Sequence, residues 1–188
     1  MAEVASGEGQ GTRISTSVSD ETEETANLKG VTRRILMPVD GSEHSERAFN
    51  WYLENVMRPG DGLYLTHIVE PMSSGVNYSM ASKSPALKED FARHINKLVE
   101  SGRNLRSKFL SRCEAQGLPA SFTIHVGTKP GEHIVRLVQN KGANLVVVGN
   151  RGIGTMKRTF LGSVSDYILH NAGVPVLIVP PVKTPKKK

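Results

Sequence analysis

The chain has 188 residues, of which 38% are hydrophobic, and a chain of this length can bury the core of one globular domain. Its net charge is +6, but the basic residues are dispersed and aromatic residues make up only 5%, so the composition does not favour nucleic-acid binding. Cys113 is the single cysteine, which excludes a disulfide framework and a cysteine-based metal site. We find neither a signal peptide nor an apolar run of membrane-spanning length, and we therefore expect a soluble, cytoplasmic protein.

The two ends of the chain differ in composition from its centre. Residues 1–30 are rich in Ser, Thr, Glu and Gly and contain few large apolar side chains, so we predict a disordered N-terminal tail. Residues 183–188 form a short basic C-terminal tail. Residues 31–182 are predicted to form one folded domain.

Strand and helix patterns alternate through this domain. The first strand, RRILMPVD, precedes a helix with Ser42 as its candidate N-cap, whose predicted buried stripe recurs at helical spacing: Ala48, Trp51, Tyr52, Asn55 and Val56. A second strand, GLYLTHIVE, precedes a polar loop and a long helix that Pro85 opens and Gly117 closes. The strands SFTIHVG, NLVVVGN and VPVLIVP follow, separated by helices in PGEHIVRLVQNKG and SVSDYILHNAG. This order predicts an α/β fold with a parallel sheet and helices on both of its faces.

Ligands of such sheets bind beyond the carboxyl ends of the strands, so the residues that follow each strand are the candidates for a site. A glycine-rich basic segment, residues 149–166, follows the fourth strand. Glycines let backbone N–H groups approach a phosphate closely, and the predicted helix start at Gly162 and Ser163 adds further N–H groups. Three cationic side chains supply positive charge: Arg151, Lys157 and Arg158. The segment suits a nucleotide phosphate, and a plain crossover turn is the alternative.

Asp40, after the first strand, suits a different part of a nucleotide. A carboxylate repels phosphate but accepts hydrogen bonds from a ribose hydroxyl or an adenine amine. The alternative role of Asp40 is to stabilise the start of the following helix by its charge. Neither G-x-x-x-x-G-K-[ST] nor a G-x-G-x-x-G after the first strand is present, so we expect neither a P-loop nor a nicotinamide or flavin site. The six histidines lack metal-ligand spacing, and we expect no protein-built metal site.

The spacing Gly149-x2-Gly152-x9-Gly162-Ser163 resembles the ATP-binding pattern G-x2-G-x9-G-(S/T) of the universal stress protein family. Three further segments, ILMPVDGSEHSERAF, LTHIVEP and GVPVLIVP, resemble that family too, and the resemblance spans residues 31–181. It implies a single doubly wound, Rossmann-like sheet of five parallel strands in the order 3-2-1-4-5. It also implies that the protein binds an adenine nucleotide, ATP or else AMP or ADP, with Mg²⁺ on the phosphates.

The resemblance also implies which residues hold each part of the nucleotide. The base and the ribose would be held by Pro38, Val39, Asp40, Ile68, Val148 and Gly149. The phosphates would be held by Gly152, Gly162, Ser163, Val164 and Ser165, next to the positive charge of Arg151. Asn150 stands where the family more often has Ser or Thr, and we expect little consequence because Asn is also small and polar.

Catalysis has less support in the sequence than binding. ATP hydrolysis needs a positioned water, a metal clamp and charge stabilisation, and no side chain of the glycine segment is well placed to orient water. We therefore predict a nucleotide-dependent regulatory protein of the stress response, with slow hydrolysis at most, and not an enzyme. The alternatives are a weak ATPase or phosphotransferase, and an interaction module that does not bind nucleotide.

The last strand, residues 175–180, lies at the edge of the sheet in the implied strand order. Its residues Val176 to Val179 are apolar on both faces, and an exposed edge of this kind recruits another strand. We therefore predict a homodimer through this strand, since a two-fold pairing covers both edges. A regulatory role also implies a protein partner, which the sequence does not identify.

Overall fold

The computed structural model of the chain describes residues 28, 30–70, 85–150 and 161–181. The strands are β1 (Arg33–Pro38), β2 (Asp61–Val69), β3 (Ala120–Val126), β4 (Leu145–Gly149) and β5 (Val176–Val179). The helices are α1 (Glu43–Asn55), α2 (Pro85–Ala115), α3 (Pro130–Lys141) and α4 (Ser163–Asn171). None of these helices is long and apolar enough to cross a membrane. The two tails stay predictions, because the described residues include only Leu28 and Gly30 of the first and none of the second.

The strands pair in the order β3-β2-β1-β4-β5, and every pair is parallel. The predicted Rossmann-like α/β fold and the strand order implied by the resemblance are therefore confirmed. β1 lies at the centre, where Ile35 pairs with Leu63 of β2 on one side and with Leu145 of β4 on the other. The chain order reverses at β1, so the carboxyl ends of β1 and β4 flank the crevice where ligands of such sheets bind.

Helices cover both faces of the sheet and create two cores. On the first face α1 and α2 pack together, and the rings of Phe49 and Phe109 meet edge to face with their centroids 4.8 Å apart. Cys113 lies in this core, where burial raises the pKa of its thiol to about 12, which suits a core residue better than a nucleophile. On the second face α3 and α4 cover Leu36 and Val146. Both faces of the strands are thus apolar, as expected of a buried parallel sheet.

The buried face of α1 differs in part from the prediction. Ser42 caps the helix as predicted, because its side chain accepts a hydrogen bond from the backbone N of Ser45 at 3.4 Å. Ala48 and Tyr52 are buried as predicted, but Trp51 is 37% exposed and Phe49 is buried in its place. Asn55, also predicted on the buried stripe, is exposed. The buried stripe of α1 that packs on the sheet has its centre near position 52. Trp51 lies about 100° from that centre around the helix axis.

A buried ion pair lies at the amino end of the sheet, opposite the crevice. The carboxylate of Asp61 is fully buried and accepts hydrogen bonds from Arg33 Nε at 2.6 Å, Arg33 Nη2 at 2.5 Å, the Tyr52 hydroxyl at 2.8 Å and the Arg58 backbone N at 3.1 Å. Burial alone would raise the pKa of Asp61, but these hydrogen bonds outweigh it and hold the pKa below its usual value. Burial and the neighbouring carboxylate raise the pKa of Tyr52, so its hydroxyl remains a donor.

Candidate functional site

The crevice at the carboxyl ends of the strands contains a cavity of about 230 Å³. Its walls come from the ends of β1, β2 and β4, from the first turn of α1, and from the amino ends of α3 and α4. Ten of the twelve residues predicted for nucleotide binding line it: Pro38, Val39, Asp40, Ile68, Val148, Gly149, Gly162, Ser163, Val164 and Ser165. The other two, Arg151 and Gly152, lie outside the described residues.

The wall formed by the sheet and α3 is apolar. Ile68 of β2 and Val148 of β4 pack in the same core as Ile134 of α3, and all three line the cavity. They come together because alternate residues of the strands face α3 and α4. An apolar wall of this kind fits a flat aromatic ligand such as a nucleotide base.

Asp40 lines the cavity and also shapes the turn that leads into α1. Its Oδ1 accepts hydrogen bonds from the backbone N of Ser42 at 3.0 Å and from the Ser42 hydroxyl at 2.6 Å. The structure thus places Asp40 both in the lining of the cavity and at the start of the helix, where the two roles considered for it apply.

The amino end of α4 forms another wall. Gly162 is the N-cap of this helix and provides no side-chain cap for the first N–H groups. Its φ of −66° and ψ of 151° suit any residue, and among the described residues an added Cβ would meet only the hydroxyl of Ser165, at 3.5 Å. The described part of the fold therefore does not require glycine here. Ser165 is buried and its hydroxyl donates to the Gly162 carbonyl at 2.9 Å, whereas Ser163 is exposed.

Gly149, by contrast, is required by the fold. A Cβ at this position would lie 2.2 Å from the carbonyl oxygen of His44 and 3.2 Å from the backbone N of Ser45. The first turn of α1 therefore approaches the end of β4 more closely than any side chain at position 149 would allow. This contact brings α1 against the start of the glycine segment.

Seven residues that line the cavity were not among the predicted site residues: Ser42, His44, Ser45, Thr66, Glu70, Pro130 and Ile134. Glu70 directly follows β2, a position that the rule of strand carboxyl ends indicates. The others lie within or beside elements whose pattern indicates capping or packing, so no local signal marks them. The charged or titratable side chains of the described lining are Asp40, His44 and Glu70.

Two histidines lie beside this site without lining it. His133 precedes Ile134 on α3 and stacks on His125 of β3, with ring centroids 6.2 Å apart. Burial and the nearby charge of Arg136 lower the pKa of His133. Within the described ranges, no group of three or more His, Cys, Asp or Glu side chains could hold a metal ion.

Sequence comparisons relate the chain to one family. A sequence model of the universal stress protein family matches residues 32–180. Universal stress protein PHOS32 of Arabidopsis thaliana is 26% identical over 166 residues, and the match covers 80% of this chain but 65% of that relative, just under two thirds of its length. Universal stress protein MJ0577 of Methanocaldococcus jannaschii is 26% identical over 161 residues, covering 78% of this chain and 94% of that protein.

Solved structures share the fold at low identity. The structure of MJ0577 matches with a TM-score of 0.66 and 24% identity, covering 81% of this chain and 98% of that one. An Arabidopsis thaliana universal stress protein family protein with AMP bound matches with a TM-score of 0.58, 23% identity, and coverage of 79% and 91%. A universal stress protein in complex with cAMP matches with a TM-score of 0.52, 23% identity, and coverage of 78% and 96%. Since the family's sequence model spans almost the whole described domain, the chain belongs to the universal stress protein family.

Proposed function

We propose that this protein binds one adenine nucleotide, ATP or else AMP or ADP, in the cavity at the carboxyl end of its sheet. The observation that carries the proposal is the convergence of ten predicted residues from four separate segments of the chain on one cavity. Gly162 adds support, because the fold leaves room for a side chain there and a phosphate would use that room. The base would lie against Ile68 and Val148, and the phosphates against the amino end of α4.

Two observations bear on which nucleotide is bound. Relatives of the same fold hold AMP and cAMP, and both ligands contain adenine, ribose and phosphate. The cavity of about 230 Å³ is smaller than the roughly 300 Å³ at which ligand pockets usually begin, so we expect the nucleoside inside it and the outer phosphates beyond it. Mg²⁺ would enter with ATP, because phosphate oxygens and water supply most of its ligands.

We further propose that nucleotide occupancy, and not turnover, is the functional output. A regulatory protein needs a nucleotide that binds two of its states with different affinity, and it does not need hydrolysis. The carboxylate of Asp40 already holds the turn before α1, a role that suits binding rather than activation of water. Steady-state ATP hydrolysis should stay far below about 1 s⁻¹, the low end of ordinary enzyme turnover. Faster turnover that a single substitution abolishes would make the protein an enzyme.

The assembly that we propose is a homodimer through residues 175–180. β5 is an edge strand, and its residues Val176 to Ile178 are only half-buried by the described residues. Pairing with the β5 of a second copy would cover both edges.

The nucleotide proposal can be tested by analysing what the full chain retains during purification. The protein is purified without added nucleotide and denatured, and the released small molecules are separated and identified by mass. We expect an adenine nucleotide in a substantial fraction of the chains. A chain that releases no nucleotide, and that takes none up when ATP or AMP is added, would overturn the proposal.

A further inference from the structure

His44 lines the cavity from the first turn of α1, and its side chain is 20% exposed. Its Nδ1 lies 3.2 Å from Nη2 of Arg47, one turn further along the helix. The same Nη2 donates a hydrogen bond to the carbonyl of Asn150 at 2.9 Å, and the backbone N of Asn150 donates to the carbonyl of Val179. Arg47 therefore connects His44 to the backbone directly after β4.

The chemistry of arginine fixes the tautomer of His44. A guanidinium has only N–H donors, so the Nδ1 of His44 must act as the acceptor of this hydrogen bond. The proton of the imidazole then resides on Nε2. This nitrogen lies 4.0 Å from the nearest carboxylate oxygen, of Glu43, which is too far for a hydrogen bond. No partner for Nε2 is present in the part of the chain that the structure describes.

The ligand atoms that would use this donor are phosphate oxygens. The described lining holds two carboxylates, Asp40 and Glu70, and no Lys or Arg, so the His44 ring is its one nitrogen donor among side chains. His44 also lies where α1 touches Gly149, at the start of the glycine segment that suits a phosphate. The permanent charge of Arg47 behind the ring strengthens the Nε2–H donor toward an anion.

We propose that His44 donates a hydrogen bond from Nε2 to a phosphate of the bound nucleotide and that Arg47 is the positioning residue that fixes its tautomer. The proposal rests on adenine nucleotide binding as the function of the cavity. The proposal adds a binding residue that neither the glycine pattern nor the positions at the strand ends indicate. It places a nitrogen donor for the phosphate on α1.

The first test compares His44→Ala with wild type in calorimetric titrations with adenosine, AMP and ATP. Loss of a hydrogen bond to a charged group should weaken AMP and ATP binding about tenfold or more and leave adenosine binding unchanged. His44→Gln keeps an N–H donor and should recover part of the loss. His170→Ala, an exposed histidine at the end of α4, is the matched control and should bind like wild type.

Three outcomes are informative. Unchanged AMP affinity in His44→Ala would overturn the proposal, and so would an equal loss for adenosine, because the contact would then lie on the nucleoside. Failure of the wild type to bind any of the three ligands would overturn the proposed function itself, and this result is distinct from the other two.

The second test addresses Arg47. In a long-range ¹H–¹⁵N spectrum, wild-type His44 should be the Nε2–H tautomer, and Arg47→Met should give a mixture of both tautomers. Arg47→Met should weaken AMP binding but add little to the loss in His44→Ala, because both variants remove the same contact. Arg47→Lys keeps a cationic donor and should stay close to wild type in folding and affinity. An unchanged tautomer, or fully additive losses, would contradict the positioning role.

Discussion

Two aspartates at opposite ends of the sheet have different tasks. Asp61 at the amino end is fully buried, and hydrogen bonds from three residues hold its carboxylate. Asp40 at the carboxyl end is exposed and holds the turn before α1 with one oxygen. The first carboxylate belongs to a buried ion pair, whereas the second lies in the lining of the cavity.

Asp61→Asn removes the charge that pairs with Arg33 and nearly preserves the size of the side chain. We expect the free energy of unfolding to fall by about 3 kcal/mol or more at neutral pH, because one partner of a buried ion pair is lost. The pKa of Asp61 is lower in the folded chain than in the unfolded chain. The stability that its carboxylate provides is therefore fully present above about pH 4, and it is lost as the pH falls through the pKa of the folded chain. Urea unfolding at neutral pH and at about pH 3 should therefore show that the difference in unfolding free energy between wild type and variant is smaller in acid.

The matched control for this experiment is Asp166→Asn, since the Asp166 side chain is 57% exposed. It should change the unfolding free energy by less than about 0.5 kcal/mol at neutral pH. If Asp61→Asn lowers the unfolding free energy equally at both pH values, the carboxylate charge is not the source of the stability.

At the scale of elements, the site depends on how closely helices approach the strand ends. The first turn of α1 touches the backbone of β4 at Gly149, which leaves no space for a Cβ. The first turn of α4 leaves that space open at Gly162. Gly149 thus serves the packing of two elements, and Gly162 is the glycine that we propose to serve the ligand.

Alanine substitutions should separate these two roles. Gly149→Ala places a Cβ against the backbone of α1, so the helix must shift, and we expect a loss of about 1–3 kcal/mol in unfolding free energy. Gly162→Ala should unfold like wild type but bind ATP about tenfold more weakly or worse, equivalent to about 1.4 kcal/mol or more. Thermal unfolding and calorimetry measure the two effects. Equal stability of Gly149→Ala and wild type, or unchanged ATP affinity in Gly162→Ala, would contradict the assignment.

The sequence pattern predicts where these helices and strands begin and end. It does not predict which elements pack or pair with each other. Helical and strand periods, together with Ser42 and the glycines, define where elements begin and end, because these signals are local. The family resemblance implies the strand order, whereas periodicity does not encode which strands pair. The helical period predicts Trp51 on the buried face, wrongly, because the period alone does not fix the centre of the apolar stripe. The contacts of Arg33 with Asp61 and of Arg47 with Asn150 link residues that are far apart in the chain, so only the folded chain brings them together.

At the scale of the whole molecule, the edge strand β5 determines how two copies could join. The carbonyls of Pro175 and Val179 accept hydrogen bonds from β4 and the residue that follows it. In an extended strand, Val176 and Ile178 between them direct their backbone groups away from β4. The side chains of both residues pack in the core that α3 and α4 cover. In the proposed dimer, the outward backbone groups, and not these side chains, would therefore form the pairing.

Val176→Pro should disrupt the proposed dimer. Proline removes the outward N–H, has nearly the volume of valine, and is tolerated at the first residue of a strand. Light scattering at tens of micromolar protein should give the mass of a dimer for wild type and of a monomer for Val176→Pro. Val176→Ala shortens the same side chain but keeps the N–H, and it should remain dimeric. A monomeric wild type would contradict the dimer, and a dimeric Val176→Pro would assign it to another surface.

The measurement that tests the central claim most directly is a calorimetric titration of the full chain with ATP, AMP and GTP. An adenine-specific site in the cavity should bind ATP and AMP at one molecule per chain, and GTP much more weakly, because GTP has a different base edge. Saturable binding of ATP or AMP below about 1 mM, reduced in Gly162→Ala, is the result that we predict. A correctly folded chain that binds neither adenine nucleotide at that concentration, or that binds all three equally well, would contradict it.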